Sequence, residues 1–200
     1  MKKPSLVLVI VFTFVFVFAF ACKKNEQNNT STSDTANTTT SVAASDTSGT
    51  TSTTPPAPLT EAEQKFIEKA AFGGMAEVSM GQQVSPKAKN ADVKNFADKM
   101  VADHGKANDE LKDLAKKKSV TLPNEVDPKD KDATQKILAS KDVDKSYMEA
   151  MVKDHDTDVK EFENESKSAK DADLKAWIDK TLPVLKEHQK MAHDIKSKMK

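Results

Sequence analysis

The chain has 200 residues and balances 31 cationic against 31 acidic side chains, for a formal charge of zero. Every cation is lysine; with no arginine the chain lacks the planar bidentate donor that most often reads phosphate and guanine, which argues against a nucleic-acid partner. Cys22 is the only cysteine, so an intrachain disulfide is excluded.

The first segment reads as an export signal. Met1-Lys2-Lys3 is a short cationic start, Leu6 to Phe20 is apolar apart from Thr13, and small residues lead into Cys22. The apolar run, about 16 residues, falls short of the roughly 20 needed to span hydrocarbon as a helix. The segment resembles a bacterial lipoprotein signal, which implies cleavage after residue 21 and lipid on the Cys22 thiol. Lys23 stands where an inner-membrane retention signal would carry Asp, so the resemblance implies anchoring at the outer membrane, with the rest of the chain in the periplasm or at the surface. Loss of Lys2 and Lys3 would leave 29 lysines against 31 carboxylates.

Residues 22–58 follow as the lipidated cysteine and a tether rich in Ser, Thr, Asn and Ala. Val42 is its only large aliphatic residue, too little apolar surface to offset the entropy of ordering. A flexible chain of that length reaches on the order of 30 Å.

Residues 59–200 form the folded domain, expected to be all-α because apolar residues recur at helical spacing and no alternating strand pattern appears. The first helix starts with Thr60 as N-cap and Glu63 completing a capping box. Its inner stripe is expected to run Phe66, Ala70, Gly73, Glu77, Met80, Val84, and Ser85-Pro86 should kink or end it. The second helix follows Asn90 and turns Val93, Ala97, Met100, His104, Ala107, Leu111 and Leu114 inward. Leu122-Pro123 and Asp127-Pro128 break the chain, and a short helix is expected over 129–139. The third long helix, about 142–166, carries Tyr147, Met148, Met151, His155, Val159 and Phe162 inside. The fourth begins near Asp171 with Leu174, Ile178, Thr181, Leu185, His188, Ala192, Ile195 and Met199 on its stripe, and Pro183 should bend it.

Each long helix therefore has one ionisable residue near the middle of its inner face: Glu77, His104, His155 and His188. Counting from the short turns at about 1.5 Å per residue, Glu77 and His104 differ in depth by about 4 Å and His155 and His188 by about 7 Å. In a four-helix bundle, equal depth means convergence. Two of the four lie in a repeated segment, Met100-Val101-Ala102-Asp103-His104 and Met151-Val152-Lys153-Asp154-His155. The roughly 23-residue connection between the second and third long helices is long enough to cross the bundle, which is the ferritin-like arrangement.

At these residues the chain resembles a family of bacterial exported proteins known as domain of unknown function 4142, placed among the ferritin-like folds. The resemblance rests on Ala70-Ala71-x-Gly73-Gly74-Met75-x-Glu77-Val78, on the two Met-Val-x-Asp-His segments with Phe96 and Tyr147 before them, and on Leu182-Pro183-x-Leu185-x-x-His188. It implies a four-helix ferritin-like bundle and a place in the cell envelope, and no particular activity. Ferritin-like di-iron sites use Glu-x-x-His on two helices. Here Val101, Val152 and Leu185 stand three residues before the histidines, so the bridging carboxylates of a di-iron centre are absent.

Two readings of the central residues stay open. In one, His104, His155 and His188, with Glu77 as a fourth ligand, hold a single Zn, Cu or Fe ion. Asp103 and Asp154 would then accept the free ring N–H of a ligand histidine on a neighbouring helix, and Met100 and Met151 would offer sulfur on the same helix faces for Cu(I). In the other, the same groups satisfy one another as a buried polar cluster and bind nothing. The expected cofactor is a single transition-metal ion or none, and the one expected partner is the membrane, through the lipid. No thiol, phosphate loop or nucleophile elbow supports catalysis. The expected role is accordingly a non-enzymatic binding or stress-related function in the envelope, with metal binding in the periplasm as the alternative.

Overall fold

A computed structural model describes residues 58–199. Cys22 and the tether lie outside the described residues. Five α-helices follow one another: α1 (Glu61–Val84), α2 (Ala91–Lys117), α3 (Pro128–Leu138), α4 (Val143–Ser168) and α5 (Ala172–Lys198). There is no strand among the described residues, and no helix there is long and apolar enough to cross a membrane.

The helix starts are written locally. Thr60 accepts from the Glu63 N–H while Glu63 reaches back to the Thr60 N–H, completing the expected capping box. Asn90, Asp127, Asp142 and Asp171 cap the other four helices through their side-chain oxygens. Helix α1 ends in a 3-10 turn at Ser85–Lys87, where Pro86 has no N–H to continue the α-helical ladder. At the end of α2, Ser119 takes a left-handed φ of 58° and Val120 N–H returns to the Ala115 carbonyl at 2.8 Å, turning the chain into the crossover. Helix α5 continues through Pro183.

The four long helices pair into two antiparallel hairpins, α1–α2 and α4–α5, which supply the most extensive packing; α2 and α5 join the hairpins. Gly81 lets α1 approach α2, because a Cβ there would stand 2.9 Å from both the Ala97 carbonyl oxygen and Val101 Cγ2. Two apolar layers fill the bundle. One gathers the start of α2 (Val93, Phe96), the start of α4 (Tyr147, Met148) and the end of α5 (Ala192, Ile195). The other gathers the end of α2 (Leu111, Leu114), the end of α4 (Phe162) and the start of α5 (Leu174, Ile178). Helices α2 and α4 thus run in the same direction, so the segment between them, carrying α3, must traverse the length of the bundle. That is the ferritin-like crossover expected from the connection length.

Each hairpin turn is held by a buried carboxylate from the other hairpin. Asp144 accepts the N–H groups of Lys89 (3.0 Å) and Asn90 (2.7 Å), and Glu63 accepts those of Lys170 (2.8 Å) and Asp171 (2.9 Å). Glu63 does more than its capping motif announces, since a local pattern says nothing about a turn more than 100 residues away.

One stripe differs from the expectation. In the first half of α1 the buried residues are Glu63, Ile67, Ala71 and Gly74, whereas Phe66, Ala70 and Gly73 are only partly covered. The reason is tertiary: α1 and α4 touch sparingly along this edge, with α3 lying against both. Helix α1 therefore turns its Ile67 line toward the bundle and leaves Phe66 at the margin, edge-on to Phe162 at 5.0 Å between ring centroids.

Candidate metal centre

Between the two apolar layers lies a polar layer made of one residue from each long helix. Glu77 and His104 are 3% and 6% exposed, and His155 and His188 are fully buried. The four residues that helical spacing placed at similar depth do meet. Ring centroids are 5.7 Å apart for His104 and His155, 5.2 Å for His104 and His188, and 5.5 Å for His155 and His188.

Each ring has one nitrogen committed to an acceptor. His104 Nδ1 lies 2.8 Å from Glu77 Oε2, His155 Nδ1 lies 3.1 Å from the Met151 carbonyl oxygen, and His188 Nε2 lies 2.8 Å from Asp103 Oδ2. A neutral imidazole carries one N–H. His104 Nε2, His155 Nε2 and His188 Nδ1 are all buried without a partner, and each presents a lone pair when its ring donates the committed proton outward, which for His104 requires Glu77 ionised. One ring nitrogen from each histidine falls within 4.8 Å of the others. Nitrogens sharing one ion at bonds of about 2.0–2.1 Å lie roughly 3.3–4.2 Å apart, so sub-ångström ring shifts close the set on an ion.

Burial pushes His104 and His155 down to about 4, against the influence of nearby carboxylates. Burial also lowers His188, although its bond to Asp103 works the other way. Unprotonated imidazole is the form that ligates a metal. Burial raises Glu77 to about 8, with His155 opposing and Asp154 adding to the rise.

The sequence-expected residues separate into different roles. Glu77 orients His104 through Oε2, while Oε1 is 3.6 Å from His155 Nε2 and has no hydrogen-bond partner. Asp103 orients His188 from the neighbouring helix and is itself bridged by Lys99 at 3.0 Å. Asp154 makes no histidine hydrogen bond among the described residues; it lies instead with Glu77 and Asp158, one carboxylate oxygen of each within 4.8 Å of the others. Met100 and Met151 are buried in the apolar layer with Phe96 and Tyr147. His193, off the stripe, is exposed and pairs with Asp156 at 2.9 Å. Trp177 is buried and donates to the Ala107 carbonyl at 3.4 Å.

Three contributors were not read as part of the site. Phe96 sets its ring edge-on against both His155 (6.4 Å) and His188 (6.3 Å). Tyr147 brings a buried hydroxyl without a partner. Asp158 follows Asp154 by four, and two carboxylates on one helix face were the available signal. Access comes through a cleft of about 480 Å³ between α1 and α4, roofed by α3, which reaches Glu77 and His104. A smaller pocket of about 100 Å³ opens on the α2–α5 side at Asp103 and His188.

Burial raises Asp158 to about 8 as well, so the pH response of the metal-free chain follows from it together with Glu77. The folded value of Glu77, about 8, lies above its ordinary 4.5, so the folded state holds a proton that the unfolded state has released. That contribution is lost as pH rises through 8. Above pH 7.5 the histidines are neutral in both states and do not interfere. Stability by urea unfolding should therefore fall by about 1–2 kcal/mol between pH 7.5 and 9, and Glu77→Gln should remove about half of that decline, the rest belonging to Asp158. An equally steep decline in Glu77→Gln would contradict this.

The fold and the layer together define a class: a crossover four-helix bundle with three histidines converging in its core. The chain belongs to the family described as domain of unknown function DUF4142, whose profile matches residues 48–195. Similar solved structures include a DUF305 fragment from Deinococcus radiodurans, at 7% identity and a TM-score of 0.62, covering 72% of this chain and all of that one. Another is CopM in its Cu(I)-bound form, at 15% identity and a TM-score of 0.57, covering 66% of this chain and 93% of that one. At these identities the likeness is one of fold. No curated protein matches the chain in sequence.

Proposed function

We propose that the chain is a non-enzymatic metal-binding protein of the cell envelope, anchored by lipid at Cys22, that holds one copper ion at His104, His155 and His188. The observation that carries this reading is the set of three buried ring nitrogens without partners, each on a ring whose other nitrogen is already fixed by an acceptor. A self-satisfying polar cluster would pair those lone pairs with donors. Three imidazoles suit zinc, copper and iron alike, and copper stands highest in divalent affinity. CopM, similar in fold, was solved with Cu(I), which directs the choice to copper. The outward bonds to Glu77, Asp103 and the Met151 carbonyl are those that orient ligand histidines in metal proteins.

The test is metal loading of the purified chain. Offered Cu(I) under reducing conditions, and Zn(II) and Fe(II) separately, it should retain one copper per chain with nitrogen scatterers in its X-ray absorption spectrum. Retention of zinc in place of copper would reassign the ion. No stoichiometric retention of any of the three would leave the buried polar cluster as the reading.

A further inference from the structure

The histidine layer is sealed although a cleft leads to it. His155 and His188 are fully buried and His104 is 6% exposed, yet the α1–α4 cleft of about 480 Å³ reaches Glu77 and His104. Part of the fold must therefore move before a solute arrives at the unpartnered ring nitrogens. The two hairpins are not free to part along this edge. Asp144 ties one end of it by accepting from Lys89 and Asn90, Glu63 ties the other by accepting from Lys170 and Asp171, and the Lys69–Glu161 ion pair spans it between them.

The segment over the cleft is held much less firmly. Helix α3 has 11 residues, of which only Thr134 and Ile137 are buried, with Leu138 partly covered. The Thr134 hydroxyl donates to the Asp130 carbonyl at 2.9 Å, inside α3, so lifting the helix would not unpair it. Among the described residues the one side-chain hydrogen bond from α3 to a long helix runs from Gln135 Nε2 to Gln83 Oε1 at 3.3 Å, and it is exposed. Residues 118–127 and 139–142 join α3 to its neighbours without helix. What holds α3 down is therefore chiefly Ile137, which lines the cleft and belongs to the same apolar cluster as Met80 and Met151. Met80 is one turn from Glu77 on α1, and Met151 is one turn from His155 on α4, so Ile137 stops the cleft next to the histidine layer. Elements with few buried apolar contacts open locally without global unfolding.

We propose that α3 is a gate and Ile137 its plug: small solutes enter the histidine layer when α3 lifts from the α1–α4 cleft while the four long helices stay packed. This names the route of entry for the ion of the copper reading and rests on that reading for the ion alone. The gate itself is a property of the metal-free chain.

Diethyl pyrocarbonate, which acylates neutral imidazole, tests the gate on the metal-free full chain. Peptide mass spectrometry would follow His104, with the exposed His193 as internal reference. In the parent, His104 should react far more slowly than His193. Ile137→Ala should speed His104 by about tenfold or more, because it removes most of the plug, and leave His193 unchanged. Leu174→Ala, a truncation in the other apolar layer, should weaken the fold without that acceleration. In hydrogen exchange, α3 amides should exchange ahead of those in α2 and α5. Copper-loaded Ile137→Ala should release its ion to a chelator faster by a similar factor. A chain that takes up no copper but shows the Ile137→Ala acceleration would overturn the copper reading and keep the gate. The gate is overturned by parent-like acylation of His104 in Ile137→Ala, by equal acceleration in Leu174→Ala, or by α3 exchanging only together with the long helices.

Discussion

His155→Ala is expected to lower copper affinity by about a hundredfold or more, because loss of an outer partner alone typically costs roughly 10–100-fold and this change removes a ligand. His155 is fully buried, its Nδ1 is held by the Met151 carbonyl, and its Nε2 is one of the three buried ring nitrogens without a partner. The same substitution also leaves a cavity, so the metal-free chain should lose about 2–3 kcal/mol of stability. Stability alone therefore does not separate a metal site from a polar cluster. Linkage does: an ion that binds only the folded state adds about 4 kcal/mol at a thousand times its dissociation constant. Parent melting should rise with added copper, and His155→Ala melting should not. If copper protects both equally, the ion sits elsewhere.

Phe96→Ala should give the largest loss of stability in the metal-free chain, about 3–5 kcal/mol. Phe96 is fully buried on α2, one turn from Met100, and its ring meets Tyr147 at 6.1 Å as well as His155 and His188. Its removal opens a cavity beside two of the three histidine rings. A fall in the urea midpoint with unchanged slope would report the stability loss, and weaker copper binding would report loosened rings. A cost under about 1 kcal/mol would mean that the layer collapses to fill the space, and that Phe96 does not hold the histidines in place.

The helices were legible because their signals are local. Thr60 with Glu63, Asn90, Asp142 and Asp171 mark helix starts through hydrogen bonds to N–H groups two or three residues on. The depth of Glu77, His104, His155 and His188 followed from rise per residue and short turns. The stripe of α1 was less legible. Phe66 and Ile67 are both apolar neighbours, and only the sparse contact between α1 and α4 decides which of them turns inward.

The repeated Met-Val-x-Asp-His segment shows the same division more sharply. By sequence alone the two copies are equivalent, and both aspartates qualify as partners of a histidine. In the fold, α2 lies against α5, so Asp103 meets His188; the matching side of α4 borders the open cleft, so Asp154 meets Glu77 and Asp158. The sequence by itself determined the all-helical class, the crossover and the four ionisable residues at one depth, because periodicity, caps and connection length are properties of the chain. Only the tertiary structure decided which nitrogen of each histidine is left without a partner and which carboxylate lies beside which histidine. Those depend on what each helix face meets, and helices far apart in sequence choose their neighbours through packing.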